Sequence, residues 1–278
     1  MNRIADYSFI RPIGGPNQTR FYLAAPPARL GVDVEYVAVK VWSTAAGQQA
    51  VRQAVRELKH FAAAARVQSD YLVRLYDVGQ EEEVFFLAME YLPGGSLVAL
   101  SDARGRAGAL RAVSHACRAA HALHEAGIVH RNIKPSNILL HAGGAKLSDL
   151  GLTQIMAPGM TISGIGAIGS IEYLDPGIVA RRERPSRASD IWSLGATLHR
   201  VLTGVGIYGE LPEDDPLYAI RTALDEGPTL DASLQPSERA VIAACLAPDP
   251  ADRPRTALAV AEAVENLGPV DPSKVGGV

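Results

Sequence analysis

The sequence predicts an α+β fold in two lobes. Three observations carry that prediction. Short alternating or β-branched runs, bounded by turn residues, fill most of residues 1–92. Longer runs with apolar residues three and four apart fill most of 93–267. A Gly94-Gly95 pair marks the change of texture. Strands first and helices later is the pattern of an α+β protein whose two element types segregate. The expected boundaries are 1–92, 93–267 and a disordered tail at 268–278, "GPVDPSKVGGV".

Each element has its own signal. "YSFIRPIG" (7–14) and "RFYLAA" (20–25) alternate as a hairpin across the turn-rich "GGPNQT". "PPARLG" (26–31) is a loop and "EYVAVKVW" (35–42) a β-branched strand. Val51, Val55, Leu58 and Ala62 place one helix over 48–67. "LVRLYDVG" (72–79) and "VFFLAMEY" (84–91) give two more strands. Beyond the glycines, 108–127 forms an amphipathic helix with Leu110, Val113, Cys117, Ala120 and Leu123 on one stripe and Gly127 past its end. Short strands follow at "NILL" (137–140) and "AKLSDLG" (145–151), then a Gly-, Ser- and Thr-rich irregular segment over 152–186. An apolar helix over 188–204 closes at Gly204, and helices at 215–225, 236–246 and 255–267 complete the chain.

Composition narrows the function. The chain has 278 residues, a formal charge of -3, 47% hydrophobic and 21% charged residues. No dominant basic stripe is present, which excludes nucleic acid as the expected partner. Cys117 and Cys245 lie far apart in apolar patterns and read as reduced, buried thiols. No signal peptide and no membrane segment is expected in the chain, and the expected location is cytoplasmic.

Lys40 ends "VAVK" between apolar neighbours. It is either a lysine snorkelling from an edge strand or a phosphate ligand, with Glu57 of "VRELKHF" as candidate partner. Asp149 in "KLSDLGL" follows a short apolar strand, and Asn137 ends "HRNIKPSN" (130–137). Each is either a turn-forming residue or an oxygen ligand suited to Mg²⁺.

The order of the pieces decides between these readings. Lys40, Glu57, "HRNIKPSN", "DLG", "GSIEYLDPG", "SDIWSLG" and "DPADRP" follow one another at suitable distances. In this the chain resembles the protein kinase family across residues 7–267, in its bacterial Ser/Thr style. The resemblance implies a bilobal kinase-like fold: an N-lobe of mainly antiparallel sheet plus one helix, and a mainly α-helical C-lobe. It implies ATP and Mg²⁺ as cofactors in the cleft between lobes. Lys40 would hold the α- and β-phosphates and pair with Glu57, Asn137 and Asp149 would hold Mg²⁺, and Lys134 would steady the γ-phosphate. Ala38 and Leu139 would sandwich adenine, with Met89 as gatekeeper and Glu90 to Leu92 as hinge. His130, Leu150, Phe61 and Leu75 would stack as a spine anchored on Asp190. Arg131 would pair with a phosphorylated activation segment, for which Thr153, Thr161 and Ser163 are candidates. A kinase-like homodimer is a further expectation of the resemblance, and the protein partner is not named by it.

Four departures bear on activity. Asn132 stands where the family has its catalytic aspartate, and an amide accepts no proton as a base. Losing such a base costs ~10²–10⁴ in rate, which would reduce a turnover of ~1–100 per second to ~10⁻⁴–1 per second. The phosphate-covering glycine pattern retains Gly14 but has Pro16 and Thr19 at its other glycine positions, and Phe21 replaces the small residue that roofs adenine. Nucleotide binding is therefore expected to be weakened. "DPG" at 175–177 replaces A-P-E, so Arg253 needs another partner, Asp175 or Glu172, or the segment is looser. "DLG" for D-F-G is mild. The reading is a pseudokinase module that binds Mg–ATP. The alternative is a slow or specialised Ser/Thr kinase.

Overall fold

A computed structural model describes residues 2–14, 19–43, 63–82, 84–99, 105–149, 168–211 and 215–268. The helix expected over 48–67 and the tail fall largely or wholly outside these residues. The chain divides into two compact units, Met1–Gln68 with Val73–Pro93, and Ser69–Leu72 with Gly94–Val278.

The first unit is a six-stranded antiparallel sheet. Its strands are β1 (Arg3–Ile4), β2 (Tyr7–Gly14), β3 (Thr19–Ala24), β4 (Val37–Ser43), β5 (Leu75–Glu81) and β6 (Val84–Glu90), in the order β1-β2-β3-β4-β6-β5. Period-two alternation puts Val37, Val39 and Val41 on one face, buried with Ile4, Tyr7, Tyr22, Phe86 and Ala88. Ala38 and Lys40 fall on the other face. The strand expected from Leu72 begins only at Leu75. Leu72 instead bridges Leu147 of the second unit, and Leu147 N–H donates to Tyr71 O at 2.8 Å. "PPARLG" holds a short 3₁₀ turn, Ala28–Leu30, closed by Gly31 in the left-handed region.

The second unit is mainly helical. Its elements are α1 (Gly105–Glu125), a hairpin of β7 (Ile138–His141) and β8 (Gly144–Leu147), then α2 (Pro176–Val179), α3 (Arg187–Thr203), α4 (Pro216–Asp225), α5 (Pro236–Cys245) and α6 (Ala257–Glu265). All five residues of the α1 stripe are buried. At α3, Ser186 and Ser189 form a reciprocal capping box, and Gly204 closes the helix at φ 78°. Gly94 must lack a side chain, because a Cβ there would lie 2.1 Å from the Leu140 carbonyl oxygen. Antiparallel sheet in one unit and helices in the other make this the expected α+β fold.

Candidate active site

In the first unit, β4 sits between β3 and β6 and sets the register of the candidate residues. Ala38 stands opposite Met89 and Leu23, and Lys40 opposite Leu87 and Phe21. Directly paired residues share a face, so Ala38, Lys40, Phe21 and Met89 share the face opposite the apolar core. Lys40 Nζ lies 5.5 Å from the centroid of the Phe21 ring, within cation–π range. The aromatic substitution therefore acts directly on the lysine. Gly14 ends β2 at φ 134°, beside an irregularity in the β2–β3 register. Only glycine adopts that angle without strain. Glu90 N–H donates to Arg74 O at 2.8 Å, and Arg74 N–H returns a bond to Glu90 Oε2 at 3.2 Å. Leu92 follows, half-buried.

In the second unit, one buried carboxylate organises the loop His130–Asn137. Asp190, fully buried near the start of α3, accepts from His130 N–H at 2.7 Å, Arg131 N–H at 2.8 Å and His124 Nε2 at 2.8 Å. Three donors satisfy a charge that burial alone would penalise by several kcal/mol. The expected anchoring of His130 on Asp190 is thus present. His124 was not singled out from the sequence. Its signal was there, since it lies four residues after Ala120 on the stripe of α1, a polar residue at an apolar position.

The loop is tied in turn to the strand end before "DLG". His130 Nε2 donates to Ser148 O at 3.1 Å, and its Nδ1 accepts from Asn132 N–H at 3.3 Å. Those roles require the neutral ring, and burial holds the His130 pKa below its ordinary value. Ser148 donates its N–H and its Oγ–H to Asn137 O, at 2.8 and 3.0 Å. Asn137 Nδ2 donates to Asn132 O at 2.7 Å, and Asn132 Nδ2 donates to Asp149 O at 3.2 Å. Ser148, unremarked in the sequence, is the bridge of this network.

Two residues of the network are strained. Arg131 has φ 70° and Asp149 φ 58°. Each costs ~1–3 kcal/mol and persists only where neighbours over-determine it, a condition that clusters at functional sites. The Asp190 and Asn132 bonds supply that constraint. No such strain is legible in sequence. Among the described residues, Arg131 Nε is also buried without an acceptor.

The donor set fits a hard cation. Nδ2 of Asn137 is committed to Asn132 O, its Oδ1 accepts only a long bond of 3.5 Å from Ser136 Oγ among the described residues, and Asp149 carries a carboxylate two residues past β8. One amide oxygen and one carboxylate suit Mg²⁺ completed by water and phosphate. Among the described residues no cluster of three His, Cys, Asp or Glu is placed to hold a metal. Lys134 is extended and precedes the 3₁₀ turn Pro135–Asn137. Leu139 lies on β7 opposite Lys146 and bridges Ser96.

Arg253 resolves one of the departures. Its guanidinium pairs with Asp175, donates to Ala188 O at 3.0 Å and Ala247 O at 2.8 Å, and lies 5.0 Å from the Trp192 ring centroid. Of the two expected candidates, Asp175 is the partner. Glu172 faces Arg200 at 3.8 Å instead. Glu57, Phe61, Leu150, Thr153, Thr161 and Ser163 lie outside the described residues, as does Pro16.

An antiparallel sheet unit carrying the lysine, a helical unit carrying "HRNIKPSN" on a buried aspartate, and a strained Asp149 define a protein kinase domain. The chain belongs to that family, the protein kinase domain, which it matches over residues 28–264. It is 30% identical over 258 residues to the serine/threonine-protein kinase PrkC of Bacillus subtilis, covering 90% of this chain and 39% of that protein. It is 32% identical over 213 residues to the serine/threonine-protein kinase PknB of Mycolicibacterium smegmatis, covering 70% of this chain and 33% of that protein. To the serine/threonine-protein kinase PEPKR2 of Arabidopsis thaliana it is 36% identical over 163 residues, covering 57% of this chain and 33% of that protein. The domain is thus a Ser/Thr protein kinase domain similar to bacterial ones. The chain spans two fifths or less of these relatives' lengths.

Proposed function

We propose that this domain binds Mg–ATP and transfers phosphate to protein Ser or Thr slowly or not at all, acting as a pseudokinase module that signals through a protein partner. Lys40 contacts phosphate from the first unit. Asn137 and Asp149 of the second unit hold Mg²⁺, which neutralises phosphate charge when bound. The observation that carries the reading is the Asn132 amide donating to Asp149 O. The amide nitrogen can only donate, and the amide oxygen is far too weakly basic to take the proton of a substrate hydroxyl. Weakened nucleotide binding follows from Pro16, Thr19 and Phe21. A cytoplasmic setting, where ATP and Mg²⁺ are present, accords with buried, free Cys117 and Cys245. Among the described residues no helix is long and apolar enough to cross a membrane.

A slow, specialised Ser/Thr kinase is the second reading. The kept strain at Asp149 and the Asp190 anchor favour it, because positioning and metal electrostatics supply most of phosphoryl-transfer catalysis.

Binding is tested by melting the chain with and without millimolar Mg–ATP. At ten times Kd, the ligand stabilises by about 1.4 kcal/mol. Lys40→Ala and Asp149→Asn each remove the shift. An unchanged melting temperature for the unmodified chain contradicts the proposal.

A further inference from the structure

The first turns of α1 and the β7–β8 hairpin line a half-open cavity of about 300 Å³, bordered by Ala107, Gly108, Arg111, Leu140, His141 and Gly144 among others. Apart from Arg111 and His141, the lining is small or apolar, and no carboxylate lines it. This is a different place from the nucleotide residues, and it lies wholly in the second unit.

The charges of α1 are unevenly matched. Arg106 is paired in bidentate fashion with Glu238. Arg118 is paired with Glu265 through two bonds of 2.9 Å. Arg111, the exposed arginine on the cavity, has no carboxylate partner among the described residues. His141 contributes a second donor. Gly143 N–H donates to His141 Nδ1 at 3.1 Å, which leaves the ring proton on Nε2.

The wall behind is built closely. Gly144 has φ 140°, and a Cβ there would lie 2.3 Å from His115 Cε1. The hairpin therefore packs on α1 only because that residue is glycine. Ala145 N–H donates to His115 Nδ1 at 3.2 Å. The pKa of His115 is held below its ordinary value, first by burial, with Arg111, His141 and Arg118 adding to the effect.

We propose that this cavity binds a small phosphate monoester, gripped by the Arg111 guanidinium and the His141 Nε2–H. A planar guanidinium matches two phosphate oxygens at once, which a point charge does not. A volume of about 300 Å³ is at the small end of ligand pockets. It admits a phosphate with a short organic tail lying on Ala112 and Leu140, and no macromolecule. The proposal is independent of phosphotransfer and of ATP binding, since none of the cavity residues belongs to that set.

The test is amide-resolved NMR of the full chain titrated with glycerol 3-phosphate, with glycerol as control. The expected result is saturable, millimolar-range shifts at the amides of Arg111, His141 and Gly144, absent with glycerol. Arg111→Glu, a change at an exposed position, weakens binding by at least about tenfold, the scale of one charge-assisted hydrogen bond. Lys40→Ala leaves it unchanged. His141→Phe, which removes the donor and keeps a ring, gives a smaller loss. Absence of saturable shifts at these amides, equal shifts with glycerol, or shifts insensitive to Arg111→Glu overturn the proposal.

Discussion

Arg253 is held by Asp175, two residues ahead of Gly177. The family's glutamate position is Gly177, and the carboxylate has moved to the first place of the triplet. Asp175 also caps α2, accepting from Gly177 N–H at 2.9 Å, so one side chain holds Arg253 and starts the next helix. The substitution to "DPG" therefore relocates the ion pair and does not abolish it.

A rescue experiment follows from that geometry. Asp175→Ala leaves a buried, uncompensated guanidinium and is expected to cost about 3–5 kcal/mol. Adding Gly177→Glu to that variant restores a carboxylate at the family's position. The exposed Glu183 side chain now lies 2.9 Å from where that Cβ would be, and it is free to swing away. Urea unfolding of the three variants is expected to show partial recovery in the double one. No recovery would mean that the helix cap, not the ion pair, dominates.

Phe21 is expected to compete with nucleotide for Lys40. The ring and the ammonium are 5.5 Å apart, an interaction of about 0.5–1 kcal/mol at a partly exposed site. Phe21→Val removes that contact and restores a small residue on that face. Mg–ATP affinity by calorimetry is expected to rise about two- to fivefold, the same energy expressed as a ratio. Unchanged or weaker affinity would show that the ring supports the site.

The pH dependence of stability follows from the histidines. His115, His130 and His199 each have pKa values lowered from 6.5, with burial the first cause. The unfolded chain binds protons near 6.5 while the folded chain resists them until lower pH. Their contribution is complete above pH 6.5 and is lost as pH falls below it towards the folded values, at up to about 1.4 kcal/mol per pH unit per proton. Glu172 works in the opposite sense. Burial raises its pKa above 4.5, so just above pH 4.5 acid stabilises it. Urea midpoints are expected to fall below pH 6.5, and His115→Gln to flatten that slope. A midpoint that is flat from neutral pH down to pH 5 contradicts this.

Much of this was legible in the sequence because it is periodic. The α1 stripe from Leu110 to Leu123 predicts a buried helix face, and all five of its residues are buried, while the β-branched run "EYVAVKVW" forms β4. The site was legible where identity carries the chemistry, as for Asn132, or where a lost charge forces a search, as for Arg253. Positive φ at Arg131 and Asp149 was not legible, because strain comes from tertiary bonds. The bridge through Ser148 was hidden for the same reason, since a serine beside an aspartate is common in turns. The shortened β5 was missed because Leu72 follows its alternation yet belongs to the second unit.

The most direct measurement is transfer of labelled γ-phosphate from Mg–ATP by the unmodified chain and by Asn132→Asp in parallel. Asn132 Nδ2 donates to Asp149 O, and a carboxylate there restores a proton acceptor. The account predicts little or no label from the unmodified chain and about 10²–10⁴-fold more from the variant, the worth of a general base. Label incorporated by the unmodified chain at a rate that Asn132→Asp does not raise would contradict it and make the domain an enzyme that needs no base at this position.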